Sequence, residues 1–173
     1  MRKLFYIVVA GGIGFFVWNE YLKPLPKINL NANVINNANP KKVVGDAIED
    51  APMLPAKYYV LYSSASWCGP CRQAAPKMID WYRGNAIEGE VAFVMVSYDE
   101  SEAKAIEYIK STGMPWPFIM SHNLPNDILK QGGDGIPNTL VTDRWGQVLA
   151  TSGTKRKYEG PFKPLAAIKP NPR

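Results

Sequence analysis

Apolar positions along this chain fall into runs of different period, and the periods predict the elements. Lys57–Ser64 ("KYYVLYSS") is a β-branched and aromatic run, which predicts a strand. Val91–Ser97 ("VAFVMVS") is apolar almost without interruption, the pattern of a central parallel strand covered on both faces. Between them, Cys71–Arg83 predicts a helix, with Pro76 inside it and Gly84 to stop it. Glu102–Ser111 places Ala105, Ile106 and Ile109 on one side of a second helix. After Gly113, "MPWPFIM" is a proline-punctuated loop leading to a short strand, and Asn126–Gln131 predicts a helical turn. The stretch "IPNTLVTDRWGQVLATSG" predicts a hairpin turning near Asp143–Gly146. Strand, helix, strand, helix and hairpin make an α/β fold with a mixed central sheet flanked by helices. Trp81, Trp116 and Trp145 read as packing residues of that fold.

The two ends follow other rules. Arg2 and Lys3 precede an uncharged run from Leu4 to Trp18, the form of an export signal. The small residues Ala10–Gly14 offer a cleavage site only by leaving "FFVWNEYL" at the new terminus, so an uncleaved anchor helix is favoured over a cleaved signal peptide. The expected organisation is a hydrophobic helix, signal anchor or signal peptide, over 1–23 and an Asn/Pro-rich linker over 24–55. A folded domain over 56–160 and a basic, Pro-rich tail over 161–173 follow, and Val43–Leu54 could dock on the domain as an extra strand or turn. This organisation places the domain outside the cytoplasm, in the cell envelope or periplasm, held at a membrane by the N-terminal segment, or secreted if that segment is cleaved.

Composition changes this picture in one respect. The 173 residues are 46% hydrophobic, enough for a core, and the net charge is +5. Divided along the chain, residues 58–153 carry a net −3 and residues 154–173 a net +5. The basicity lies in the ends, so the folded part offers no basic groove and nucleic acid is excluded as a partner. Lys155, Arg156 and Lys157 read as a solvated turn or tail, with weak attraction to anionic lipid headgroups as the alternative.

Candidate chemistry sits in "SSASWCGPCRQAAPKM" (Ser63–Met78), which holds both cysteines of the chain. Disulfide exchange needs one ionisable sulfur and a second close enough to expel the bound substrate. Cysteines at i and i+3 at the start of a helix meet both needs. Cys68 at the N-terminal end has its thiolate favoured by unpaired backbone amides, and Cys71 lies one turn in and less exposed. Pro70 suits a first helical turn, and Gly69 lets the chain bend without a side chain in the way. Two Cys and one His are too few for zinc, so no metal is expected, and a structural disulfide would close only a tiny loop.

These residues resemble the thioredoxin superfamily, whose motif is Trp-Cys-Gly-Pro-Cys. Pro76 falls where those proteins kink the helix, and "GIPNTLVTD" resembles their strand that begins with a cis-proline. "YSSASWCGPCR", "VSYDESEAKAIEYI" and "MPWP" look like the tryparedoxin and nucleoredoxin branch, departing from its usual Pro-Pro at Gly69 and Pro70. "IPNTLVTDRWGQVL" behind an export signal is similar to bacterial membrane-tethered thioredoxin-like reductases of the TlpA and ResA type. The resemblance implies a thioredoxin-like fold with Pro137 cis against the cysteine pair. It implies Cys68 and Cys71 as catalytic residues, with Trp67, Gly69, Pro70, Arg72, Ile136 and Pro137 supporting a substrate segment. Where thioredoxins carry a buried carboxylate six residues before the first cysteine, this chain has Tyr62, a poor base at neutral pH.

The function this implies is a thiol-disulfide oxidoreductase, reducing rather than oxidising because no His stands between the cysteines. It needs no cofactor beyond the cysteine pair. Its partners are a disulfide-bearing protein substrate and, with no second CxxC, a separate electron donor such as a membrane reductase. The alternatives are a thiol peroxidase and a non-catalytic binding or assembly factor on the same fold.

Overall fold

A computed structural model describes residues 25–133, 135–154 and 157–169, together with 7–9 and 12–14. Its centre is a seven-stranded mixed sheet. Tyr58–Ser64 (β5) pairs in parallel with Val91–Ser97 (β6), which pairs in parallel with Phe118–Met120 (β7). Asn138–Asp143 (β8) runs antiparallel beside β5, and Val148–Thr151 (β9) antiparallel beside β8. On the far edge, Lys41–Val44 (β3) pairs antiparallel with β7 and with Ala47–Asp50 (β4). The predicted strands and hairpin are therefore present, and the turn closes with Gly146 N–H donating to Asp143 O at 3.1 Å.

Alternation along β5 and β6 divides their side chains between two cores. Val60, Tyr62, Phe93 and Met95 face Gly69–Asn85 (α2) and Glu102–Thr112 (α3), where Met78, Ile79, Ala105 and Ile109 close on them. Trp116 is fully buried in this core, with its ring centroid 4.8 Å from that of Phe93 and 5.3 Å from that of Tyr82. Tyr59, Leu61, Val94 and Val96 face the other way, onto Ala32–Asn37 (α1) and Asn126–Gly132 (α4). Cover on both faces is why β6 carries no polar alternation.

The structure draws the folded unit wider than 56–160. Ile28, Leu30 and Ile35, inside the expected linker, are buried in the second core. Asn31 caps α1 by accepting from Val34 N–H at 3.1 Å. The segment docks on the hairpin turn, where Ile28 N–H donates to Gly146 O at 2.8 Å. Only glycine fits there, because a Cβ at Gly146 would lie 1.9 Å from Ile28 O and φ is +79°. Val43 and its neighbours form an added hairpin, and the expected tail returns Leu165 and Ile168 to the first core.

The expected hydrophobic helix over 1–23 lies mostly outside the described residues. Its two described pieces, Ile7–Val9 (β1) and Gly12–Gly14 (β2), pair as antiparallel strands, and a helix there is not shown. No helix among the described residues is long and apolar enough to cross a membrane.

Burial raises the pKa of Tyr62, Tyr82 and Tyr108 above that of a free tyrosine. Above about pH 10 the unfolded chain releases these protons while the folded chain keeps them. The unfolded state then binds fewer protons, so unfolding free energy falls as pH rises through this range. Urea midpoints at pH 8 and pH 11 are expected to show a clear loss at the higher pH, and equal midpoints would refute it.

Candidate active site

The parallel strands β5 and β6 end level, with Ser64 beside Ser97, so the loops that follow them meet. The first loop delivers Cys68 to the N-cap of α2. Cys71, one turn in, is joined to it by a disulfide with a Cα–Cα distance of 5.2 Å. Cys71 N–H donates to Cys68 Sγ at 3.2 Å, as expected of a helix N-terminus whose amides lack carbonyl partners. In the reduced protein this contact favours negative charge on Cys68.

Exposure separates the two sulfurs less than the sequence suggests. Cys68 retains 5% of its surface and Cys71 none. Ala65 packs with both, and Tyr98 and Ile136 pack against them, so of the two only Cys68 keeps any accessible surface. Cys68 Sγ lies 3.7 Å from Ile136 O, and the Ile136–Pro137 bond is cis, as the resemblance implied. The sequence-predicted residues Trp67, Cys68, Gly69, Pro70, Cys71, Ile136 and Pro137 thus gather at one end of the sheet. Trp67 is 62% exposed, with its indole N–H donating to Tyr98 O at 3.3 Å. Arg72 is exposed and pairs with no carboxylate among the described residues.

Gly69 differs from expectation. A Cβ there would meet nothing within 4 Å and its φ is not left-handed, so glycine is not required for the bend. Tyr62 is fully buried, and loss of water holds its hydroxyl above the ordinary range, which removes it further as a base.

A buried carboxylate does stand near the site, in the loop that follows β6. Asp99, 6% exposed, accepts from Ser66 N–H at 3.0 Å and Ser66 Oγ–H at 2.6 Å through Oδ1. Its Oδ2 accepts from Ser97 Oγ–H at 2.9 Å. This clamp fixes the loop that carries Trp67 and Cys68. Sequence reading missed Ser66, Ser97 and Asp99, although two parallel strands ending together would have placed their loops side by side. Tyr158, also missed, donates from its hydroxyl to Pro137 O and ties the C-terminal segment to the cis-proline loop. No group of three or more potential metal ligands gathers among the described residues.

Comparison with known proteins agrees with this geometry. A thioredoxin-like family profile matches residues 56–148. Tryparedoxin of Trypanosoma brucei brucei is 32% identical over 113 residues, covering 62% of this chain and 76% of that protein. Probable nucleoredoxin 1 of Arabidopsis thaliana is 35% identical over 100 residues, 54% of this chain and 16% of that much longer protein. The probable thiol:disulfide interchange protein DsbE-2 of Pasteurella multocida is 23% identical over 111 residues, 64% of this chain and 53% of that protein. Among solved structures, tryparedoxin I from Leishmania major superposes with a TM-score of 0.54 at 26% identity, covering 69% of this chain and 84% of that one. With the profile spanning more than half of the chain and the cysteine pair seated beside a cis-proline, this chain belongs to the thioredoxin-like family.

Proposed function

We propose that the protein reduces protein disulfides outside the cytoplasm through the Cys68/Cys71 dithiol. The observation that carries this reading is the pair's placement at the N-terminus of α2 against Ile136–Pro137, with Cys71 the more buried sulfur. Cys68 thiolate attacks one sulfur of the substrate disulfide, that S–S bond breaks, and the departing sulfur takes a proton. Cys71 then loses its proton and attacks Cys68 Sγ, forming the protein disulfide and releasing the second substrate thiol. Two electrons have passed from the dithiol to the substrate, and a separate dithiol partner returns them.

In this cycle the backbone of Ile136 pairs with an extended substrate segment, Pro137 seats it, and Trp67 forms one wall. Gly69 and Pro70 carry the turn between the sulfurs, and Arg72 adds positive charge near the thiolate. A reducing direction is supported by the absence of a His between the cysteines. Export is supported by the basic start and the apolar run Leu4–Trp18, which also makes a membrane reductase the natural donor.

Equilibration of the pair with dithiothreitol or glutathione buffers tests the reading. A potential near ~−270 mV is expected of a reductase, while one near ~−120 mV would turn the assignment to an oxidant. Export is tested by fusing the N-terminal segment to a reporter active only outside the cytoplasm. A silent reporter would remove the extracytoplasmic part of the proposal and leave the chemistry.

A further inference from the structure

Beside the disulfide, three elements line an open cleft of about 410 Å³. α2 contributes Pro70, Ala74 and Lys77, which recur at helical spacing as one stripe, and the cis-proline loop contributes Ile136 and Pro137. The third wall is Tyr158, Pro161 and Phe162, and this wall is held to the site by the Tyr158 hydroxyl bond to Pro137 O. Beyond Phe162 the same segment is anchored by Leu165 and Ile168 in the core, so the wall stands ready without substrate. Pro70 and Ile136 border both the cleft and the sulfurs, which makes the cleft continuous with the reacting centre.

Charge gives the cleft a polarity. Its walls are mostly proline, alanine, isoleucine and aromatic surface, with Gln73 also on the α2 side, and Lys77 stands exposed at the outer end. Lys77 forms no ion pair among the described residues, and Asp80, three residues on, is not paired with it. The carboxylate on the C-terminal wall, Glu159, is already held by Lys163 at 2.6 Å and faces Lys157 at 3.9 Å. From Pro70 to Lys77 the helix rises about 10 Å, the reach of roughly three extended residues.

We infer that this cleft is a specificity subsite for the substrate protein, taking an apolar side chain next to the attacked cysteine and a carboxylate about three residues from it. The inference rests on the reductase reading above and names the kind of segment that reductase selects. The C-terminal wall closes the apolar part, and Lys77 receives the acid.

The test follows reduced full-length protein in single turnovers against homodimeric peptide disulfides. Each turnover passes two electrons from the Cys68/Cys71 dithiol to the peptide disulfide, leaving two peptide thiols and the protein disulfide. In the reference peptide the cysteine has leucine on both sides and glutamate three residues away in both directions. One control replaces the leucines with glycine, and another replaces the glutamates with lysine.

The reference peptide is expected to react about tenfold faster than the glycine control, as burial of one apolar side chain allows. It should react about threefold faster than the lysine control, the size of a surface ion pair. In Lys77→Glu the preference for glutamate over lysine should reverse. Equal rates for all peptides, or an unchanged preference in Lys77→Glu, would overturn the subsite even if bis(2-hydroxyethyl) disulfide is reduced. No reduction of any disulfide, that small one included, would overturn the reductase reading and the subsite together.

Discussion

Serine in place of Cys68 is expected to lower kcat/KM for disulfide reduction by more than about a thousandfold, because the attacking sulfur is gone. Cys71→Ser should behave differently. Its Cys68 can still attack, but the mixed disulfide has no second sulfur to resolve it, so the protein accumulates with substrate covalently attached. Intact mass after mixing with a peptide disulfide reads both outcomes: no adduct for Cys68→Ser and a stable adduct for Cys71→Ser. The asymmetry follows from the site, where Cys68 keeps 5% of its surface and Cys71 none. Adduct on Cys68→Ser and none on Cys71→Ser would reverse the assigned roles. Full activity of a variant lacking both cysteines would favour a non-catalytic binding factor, and cysteine-dependent consumption of hydrogen peroxide a thiol peroxidase.

Asp99→Ala carries the second large effect. It removes the acceptor for Ser66 N–H, Ser66 Oγ–H and Ser97 Oγ–H at once. Bonds to a charged acceptor contribute about 1.5–3 kcal/mol each, and they do not add fully, so a loss of about 3 kcal/mol in unfolding free energy is expected. Asp99→Asn keeps the shape and the oxygen facing Ser66, and Ser97 can turn its hydroxyl, so about 1 kcal/mol is expected there. Urea unfolding of the oxidised proteins measures both. Because the clamp also sets where Trp67 and Cys68 stand, Asp99→Ala should slow reduction in native conditions and Asp99→Asn should restore much of it. A change below about 0.5 kcal/mol in Asp99→Ala would show that the loop holds its place without the carboxylate.

The difference between what was legible and what was not is visible in these residues. The dithiol, its helix, the cis-proline strand and the two central strands are local signals: a motif, a period, an apolar run. Asp99 and Ser66 are each ordinary in their own stretch, and they acquire a role only because Ser64 and Ser97 end their strands at one level, 33 residues apart in sequence. Ile28, Leu30 and Ile35 stand among asparagines and have no clear period of their own, so they looked like a linker. They are fixed by a sheet face that would otherwise be bare and by a glycine turn more than a hundred residues away. Leu165 and Ile168 stand among prolines and lysines with no period of their own, and their segment packs on β8 and β9.

Sequence alone determined the chemistry of this protein: two sulfurs at a spacing that a helix turns into a redox pair, and strands whose apolar content requires cover on both sides. Tertiary structure alone decided the surroundings of that chemistry. It chose which carboxylate anchors the cysteine loop, how far the folded unit extends, and which C-terminal residues wall the cleft beside the sulfurs. The physical reason is one of range. Periodicity and capping act between neighbours and leave their mark in short stretches, whereas buried hydrogen bonds and shared faces join segments that have no local sign of each other.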